Sequence, residues 1–434
     1  MKKTCIFLLI ILVICGCRSS FNFRQNVNKE INEGNYSSAT AKIEDQKNKV
    51  YREKDSLIYY LDLGTVQHDA KKHEESDKNF DLAQQRIDEL FTTSVSQSVG
   101  TLVKNELTAA YEGADYERAM TYFYRAMNFL AMNNLSGALV EARKAVFYLD
   151  NLRKNKHKGY NDDPFVQYFA SLLFESEGNL SSARIARANA FNAYERFASF
   201  YNVPKPDFTV PSNADKMGEI IFVHYNGHIP IIRSQTIQIA WDRAMSMTVG
   251  TDDLANADSS VQNAVVAGIM GNAVTIAYPV LTPVPFSTAG SSVRVGSVKQ
   301  DTVLVHNLSA LAKEELDERM PSIMAKMVAR AVIKQIIATQ ARHAATKATD
   351  NENWGMIAGM MVSAFNAATE RADTRMWFTL PGEIRMSRVF VEPGYHKIIF
   401  TAYDSMGNAI EVKDFDNIEI KAGERIYLHH RTGK

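Results

Sequence analysis

The first seventeen residues restrict where this chain folds and which covalent links can hold it together. Lys2 and Lys3 precede an almost unbroken apolar run, Ile6 to Ile14, which ends in Cys15-Gly16-Cys17 and polar residues. A basic segment followed by an apolar run and small residues is the order of a secretory signal peptide. The run is shorter than the roughly 20 apolar residues that span a bilayer, which disfavours the alternative of an ordinary membrane anchor. We therefore predict that the chain is exported.

The end of this segment resembles the lipobox of bacterial lipoproteins, in which a cysteine is acylated and becomes the first residue of the mature chain. The resemblance implies that residues 1–16 are a signal peptide and that Cys17 carries the acyl chains, palmitate among them. It also implies that the membrane is a partner of the protein through this lipid. Arg18 stands where some inner-membrane lipoproteins have Asp, so we expect the outer membrane, facing the periplasm.

Cysteine usage and charge exclude several classes of protein. The chain has three cysteines, and the other two, Cys5 and Cys15, would leave with the signal. The mature chain then has no thiol for a disulfide, a cysteine-ligated metal or a cysteine nucleophile. The charge is balanced, with 49 basic and 49 acidic residues. This balance gives no electrostatic reason to expect a nucleic-acid partner.

The pattern over residues 17–200 predicts paired helices. Between residues 56 and 90, Leu63-Gly64 is followed by Ser76, Phe80 and Ala83. This order of large and small residues resembles the tetratricopeptide repeat, in which small positions let two helices approach closely. The corresponding small residues at 39, 138 and 183 are unevenly spaced, so the repeat would be degenerate. A plain helical bundle is the alternative, because it shows the same periodicity.

Beyond these helices, Pro204, Pro206 and Pro211 predict a linker over residues 201–215. Strand patterns follow at 219–225 and 231–241, and Asn226-Gly227 between them is a turn signal typical of a hairpin. Residues 216–375 are thus predicted to be a mixed strand and helix region.

Two segments of that region are rich in small residues, 261–278 and 354–368, and the first belongs to a stretch without charge that runs from 259 to 293. In the uncharged stretch we expect a buried helix that runs into a buried strand, and at 354–368 a further buried helix. Membrane insertion is the alternative, which Asn, Gln and Pro residues disfavour.

From residue 376 the periodicity changes to two, which predicts a small antiparallel β module over 376–434. The predicted fold class is α+β. A tetratricopeptide-like helical array comes first, then the mixed α/β region, then the β module.

One cluster suits ligand contact. Arg375, Arg385 and Arg388 flank Trp377, and an arginine-rich edge beside an exposed Trp binds sugars or phosphates. A salt-bridged junction between a helix and the first strand is the more ordinary interpretation of the same residues.

The sequence predicts no catalytic residue, cofactor or metal. Common nucleophile, zinc-protease, phosphate-loop and dinucleotide motifs are missing. His224 and His228 flank the turn signal, and His429 and His430 point to opposite faces of a strand, so neither pair is expected to ligate a metal. We therefore expect a protein without enzyme activity.

The lipobox, the helices and two short motifs resemble a group of uncharacterised Gram-negative lipoproteins. The motifs are Tyr111-Glu112-Gly113 with Tyr116-Glu117-Arg118, and Asp373 to Pro381 before the β tail. The resemblance implies a lipid-anchored scaffold of the cell envelope that binds partner proteins through its helical array. Binding of a cell-wall or surface glycan through the Trp377 region is the alternative.

Overall fold

A computed structural model describes residues 20–96, 109–157, 159–240, 273–349 and 371–433. Cys17, the signal segment and the small-residue segment at 354–368 lie outside these ranges. The chain is a mixed α+β protein, with helices in its N-terminal part and sheets in its C-terminal part, as predicted for the fold class.

The N-terminal helices of the described chain pack mainly on their sequence neighbours. They are α1 (20–32), α2 (Tyr36–Asp45), α3 (Ser56–Asp69), α4 (His73–Ser96), α5 (Asp115–Ala131), α6 (Leu135–Asn155), α7 (Pro164–Ser176), α8 (Leu180–Arg196) and α9 (Ala198–Tyr201). Local sequence explains several starts. Asp163 caps α7 ahead of Pro164, because the Asp163 carboxylate accepts a hydrogen bond from the Val166 amide at 2.8 Å.

The pattern of small and large residues places α3 against α4 as expected. A Cβ atom on Gly64 would lie 3.0 Å from the Phe80 ring, so the ring occupies the space that the glycine leaves. The Ser76 hydroxyl donates a hydrogen bond to the Gly64 carbonyl at 2.7 Å. Small residues therefore bring these two helices close together.

In the described residues that follow there are ten strands and one long helix. The strands are β1 (Gly218–Asn226), β2 (Ile231–Ala240), β3 (Ala273–Thr282), β4 (Gly290–Val295), β5 (Val298–Asp301), β6 (Val303–His306), β7 (Glu383–Val391), β8 (Gly394–Tyr403), β9 (Ala409–Ile420) and β10 (Arg425–Thr432), and the helix α10 (Leu308–Thr349) lies between β6 and β7. The strand orders of the three sheets are β10-β1-β7-β6, β2-β3 and β5-β4-β8-β9.

Strand β1 is buried on both faces because it lies in the middle of three layers. Its side chains Ile221, Val223 and Tyr225 pack against the helices. Those of Ile220 and Phe222 pack against the sheet of β4, β8 and β9. An unbroken apolar strand is typical of a position covered on both sides. The helices and the first sheet thus share one core.

Two predictions about strand pairing are wrong. Strands β1 and β2 do not form a hairpin across Asn226-Gly227; β1 pairs with β10 and β7, and β2 pairs with β3. The region 376–434 is not a self-contained antiparallel module, because β10 runs parallel to β1. Burial decides both outcomes, since β1 needs two flanking strands to satisfy its backbone inside the molecule.

The described part of the uncharged stretch includes β3 and the start of β4, so the expected strand is present. Residues 273–282 form β3, which pairs with β2 and contacts α10 through Ile276. Of the helix expected at 261–278, residues 273–278 belong to β3 instead, and the others lie outside the described residues. Among the helices that the structure does describe, none has the length and apolarity to cross a bilayer.

Candidate functional site

A groove of about 1130 Å³ separates the helices from β10. Its helical wall consists of the turn before α4, the turn between α5 and α6, the end of α7 and the start of α8. Its other wall consists of β10 from Arg425 to His429 together with the neighbouring part of β9. A concave surface between layers is where proteins usually bind ligands.

The backbone of β10 is open on the groove side. Strand β10 is the outer strand of its sheet and pairs only with β1 among the described residues. The carbonyl of Glu424 accepts a hydrogen bond from the Glu219 amide of β1, and that of Thr432 accepts one from the amide of Gly227, directly after β1. Backbone groups alternate in direction along a strand, so those of Arg425, Tyr427 and His429 point away from β1. An unpaired strand edge of this kind can accept a further strand.

A chain of buried charges forms the base of the groove. Arg425 donates to Glu219 at 2.6 Å and to Glu175 at 3.1 Å. Arg388 also pairs with Glu219, and Arg187 pairs with Glu175. Arginines and carboxylates therefore alternate along the base. This network holds β10 on the end of α7, because Arg425 also donates to the Leu172 carbonyl at 2.6 Å.

The groove also carries apolar side chains that are open to solvent. Leu180 at the start of α8 is 65% exposed, and Val210 is 51% exposed. Exposed apolar side chains beside a concave surface indicate a place where a partner can bury them.

Three histidines meet at one end of the groove. The side-chain oxygen Oδ1 of Asn128 lies 2.6 Å from Nδ1 of His68 and 3.2 Å from Nδ1 of His73. The ring of His429 stacks on that of His68, with centroids 4.2 Å apart and planes at 21°. Sequence reasoning missed this cluster because its members come from α3, α4 and β10.

The cluster has the residue types of a transition-metal site, but its stacked pair does not suit a single ion. The three rings offer nitrogen atoms within 4.8 Å of one another. An ion bound by two imidazoles lies in the plane of each ring at about 2.0–2.1 Å. The ring planes of His68 and His429 are nearly parallel, so they do not intersect at that distance from both rings. One ion therefore cannot lie in both planes. Burial lowers the pKa of His68 to about 3 and that of His429 well below its usual value, so both rings are neutral.

Trp377 is fully buried, so the prediction of an exposed Trp at a sugar site is wrong. Its ring nitrogen donates to Thr65 at 2.8 Å and to Thr379 at 3.1 Å. Its ring lies against Phe80 and Tyr124 of the helices. The indole is thus part of the contact between the helices and the segment before β7. The sequence pattern alone could not show whether the Trp377 side chain is buried or exposed.

The three predicted arginines are not brought together. Arg375 pairs with Asp55 at 2.9 Å and with Asp373 at 2.6 Å, next to α3. Arg385 pairs with Glu383 at 3.2 Å, and Arg388 belongs to the base of the groove. Each arginine makes a structural ion pair, which is the more ordinary of the two interpretations.

The other predicted histidines are also separate. His224 lies between Ser291 and Thr432, with which its two ring nitrogens form hydrogen bonds of 2.8 Å. His228 contacts Asn32 and Arg431. His430 pairs with Glu411 on the face of β10 opposite to His429. His224 and His228 have no shared partner in the described chain.

Comparison with known proteins adds no name to this geometry. No family model matches the chain, and neither a curated protein nor a solved structure shows significant similarity to it.

Proposed function

We propose that this protein is a lipid-anchored scaffold of the cell envelope, without enzyme activity, and that it binds partner proteins. The groove beside β10 is the binding site, and the occupant is an extended segment of the partner. The open backbone edge of β10 inside the groove carries this proposal.

The sequence supports the location. The apolar run and Cys17 have the order of a lipoprotein signal, and Arg18 favours the outer membrane, facing the periplasm. The helix pairs, with small residues such as Gly64 at their contacts, support a tetratricopeptide-like array. Such arrays hold partners on a concave surface.

The chemistry of the groove favours a peptide. An extended segment beside β10 would pair with the amides and carbonyls of Arg425, Tyr427 and His429. Backbone pairing of this kind supplies affinity, and side-chain pockets supply selectivity. Leu180 and Val210 offer apolar contacts to alternate side chains of the bound segment. The alternative, glycan binding through the Trp377 region, is disfavoured because Trp377 is buried and its ring cannot stack on a sugar.

Site-specific photocrosslinking in cells tests the proposal. A photoreactive amino acid at Leu180, inside the groove, should give a discrete adduct with a partner protein. The same group at Met406, an exposed apolar residue in the turn between β8 and β9, is the matched control and should give none.

A second substitution links the adduct to the groove. Val210→Asp places a charge on the groove wall and should abolish the adduct from position 180 while leaving the melting temperature unchanged. An adduct that forms equally at 180 and 406, or that survives Val210→Asp, would contradict the groove as binding site.

A further inference from the structure

A second cavity is rich in basic residues. It lies between α1, α3 with the segment before it, β2 and the segment before β7. It encloses about 710 Å³ and begins at Ser20, the first described residue. Its lining has seven basic side chains and two carboxyls. The basic residues are Arg24, Lys49, Arg52, Lys54, Arg233, Arg371 and Arg375, and the carboxyls are Asp55 and Asp62.

Arg24 is the most informative of these residues. It is only 7% exposed, and it lines the cavity. Within the described part of the chain it makes no hydrogen bond or ion pair; its contact is with the face of the Phe378 ring, 5.7 Å from the ring centroid. Buried charges are normally paired, because removing an ion from water is costly. An arginine in this position is therefore prepared for an anion that enters the cavity.

The carboxyl that acts most strongly on the charge of Arg24 is that of Asp62, but the two side chains form no hydrogen bond or ion pair in the described chain. Asp62 is fully buried and accepts hydrogen bonds from Thr379 at 2.9 Å and from Tyr51 at 3.0 Å. Burial raises the pKa of Asp62 to about 8, although these hydrogen bonds and the charge of Arg24 oppose the shift. Asp62 therefore has its hydrogen-bond partners elsewhere and leaves the Arg24 guanidinium unpaired.

The other carboxyl, Asp55, is already paired with Arg375 at 2.9 Å. Two exposed arginines stand at the rim with no ion pair in the described chain, Arg52 and Arg233, and Arg233 lies over the ring of Phe21 at 4.3 Å. Three guanidinium groups around the cavity, those of Arg24, Arg52 and Arg233, therefore form no ion pair within the described chain.

We propose that this cavity binds a phosphate group carried by a small polar molecule. Guanidinium groups bind phosphate oxygens in pairs, with two parallel hydrogen bonds. The cavity is within the range of about 300–1000 Å³ typical of small-molecule sites, so it has room for the glycerol or sugar that bears the phosphate.

The phosphate has two possible sources, a soluble phosphate ester or a phospholipid headgroup. Ser20 lines the cavity and stands three positions after Cys17 in the sequence. If Cys17 is acylated, as proposed above, the cavity lies near the bilayer surface. The cavity itself does not depend on that lipid, so phosphate binding can be tested apart from the anchor.

Calorimetric titration of the full-length protein in a non-ionic detergent tests the proposal. The probes are glycerol 3-phosphate, dihexanoyl phosphatidylglycerol and, as a lipid without net charge, dihexanoyl phosphatidylcholine. Saturable binding of either of the first two supports the proposal. Tighter binding of glycerol 3-phosphate identifies the soluble ester as the source, and tighter binding of phosphatidylglycerol identifies the headgroup.

Variants show whether the binding belongs to this cavity. Arg24→Gln should weaken binding by a factor of about ten or more, because a charge-assisted pair is lost. Arg233→Gln, at the exposed rim, should weaken it less and without effect on folding. Arg294→Gln, an exposed arginine on β4, is the matched control and should bind like the wild type.

No saturable binding of either phosphate compound would overturn the proposal. So would equal affinities for the wild type and Arg233→Gln, a variant that provides this test even if Arg24→Gln does not fold. Failure of the groove crosslinking would leave this result unaffected, because the two sites share no lining residue.

Discussion

The carboxylate of Glu117, at the start of α5, accepts a hydrogen bond of 2.7 Å from the backbone amide of Trp377, which lies 260 residues later. The same carboxylate accepts hydrogen bonds from the Tyr111 hydroxyl at 2.6 Å and the Ala114 amide at 3.0 Å. The two short motifs noted in the sequence, around Tyr111 and around Trp377, therefore meet at one buried joint. Their contact explains them as parts of the fold.

Glu117→Ala should strongly destabilise the protein. The substitution leaves three donors without their acceptor, and each unsatisfied buried group costs about 1–3 kcal/mol. We expect the free energy of unfolding to fall by roughly 3 kcal/mol or more, measured by guanidinium denaturation. Glu112→Ala removes an exposed carboxylate from the same loop and is the control. Equal midpoints for the two variants would show that the joint does not stabilise the fold.

Asp62 should make stability depend on pH. Its folded pKa of about 8 is above the unfolded value of about 3.9, so the protonated group is favoured by folding. The contribution is fully present below the unfolded pKa and is lost as the pH rises through the folded pKa. Relative to Asp62→Asn, the wild type should therefore lose stability as the pH rises from about 4 to about 8.

Melting temperatures of both proteins across that range provide the measurement for Asp62. Asp207→Asn, an exposed position in the segment after α9, is the control and should follow the wild type. A difference between wild type and Asp62→Asn that does not change with pH would contradict the raised pKa.

Ala142 lies buried on α6, while Val140 on the same helix is exposed. Ala142→Trp should lower the free energy of unfolding by about 1–3 kcal/mol, because an indole cannot fit between packed helices without displacing them. Val140→Trp adds the same side chain on the solvent side and should unfold like the wild type. If Ala142→Trp also did so, the helix packing described for α6 would be wrong.

The lipid anchor remains a prediction from sequence. Mass spectrometry of the mature N-terminus should show acyl chains on Cys17, and Cys17→Ser should abolish them. Arg18→Ser leaves the cysteine in place and should still be acylated. A mature wild-type chain that begins elsewhere or carries no acyl chains would exclude the lipoprotein assignment.

Local pattern was enough to predict most of the individual elements. The strands predicted after residue 376 are present, β7 among them, and the helices predicted from Gly64, Ser76 and Phe80 are confirmed as α3 and α4. These elements depend on periodicity and capping, which act over a few residues. Pairing depends on distant burial, which is why the hairpin predicted across Asn226-Gly227 is wrong.

The candidate sites were less accessible to sequence reasoning. Trp377 and Arg375 were singled out because they are close together in sequence, yet one is core and the other a structural ion pair. Arg24 gave no signal, because an arginine in an amphipathic helix is ordinary. Only the fold places it in a cavity with residues from α3 and from the segment before β7.

The parallel pairing of β1 with β10 also sets an order for folding during synthesis. Glu219 of β1 meets Arg425 of β10 across 206 residues. A chain that emerges from its N-terminus would form the N-terminal helices early, while one edge of β1 stays unpaired until residues 425–432 are available. Distant pairings of this kind slow folding and prolong the exposure of strand edges that are prone to aggregate. A chaperone that protects exposed strands would thus be most needed in the interval before β10 pairs with β1.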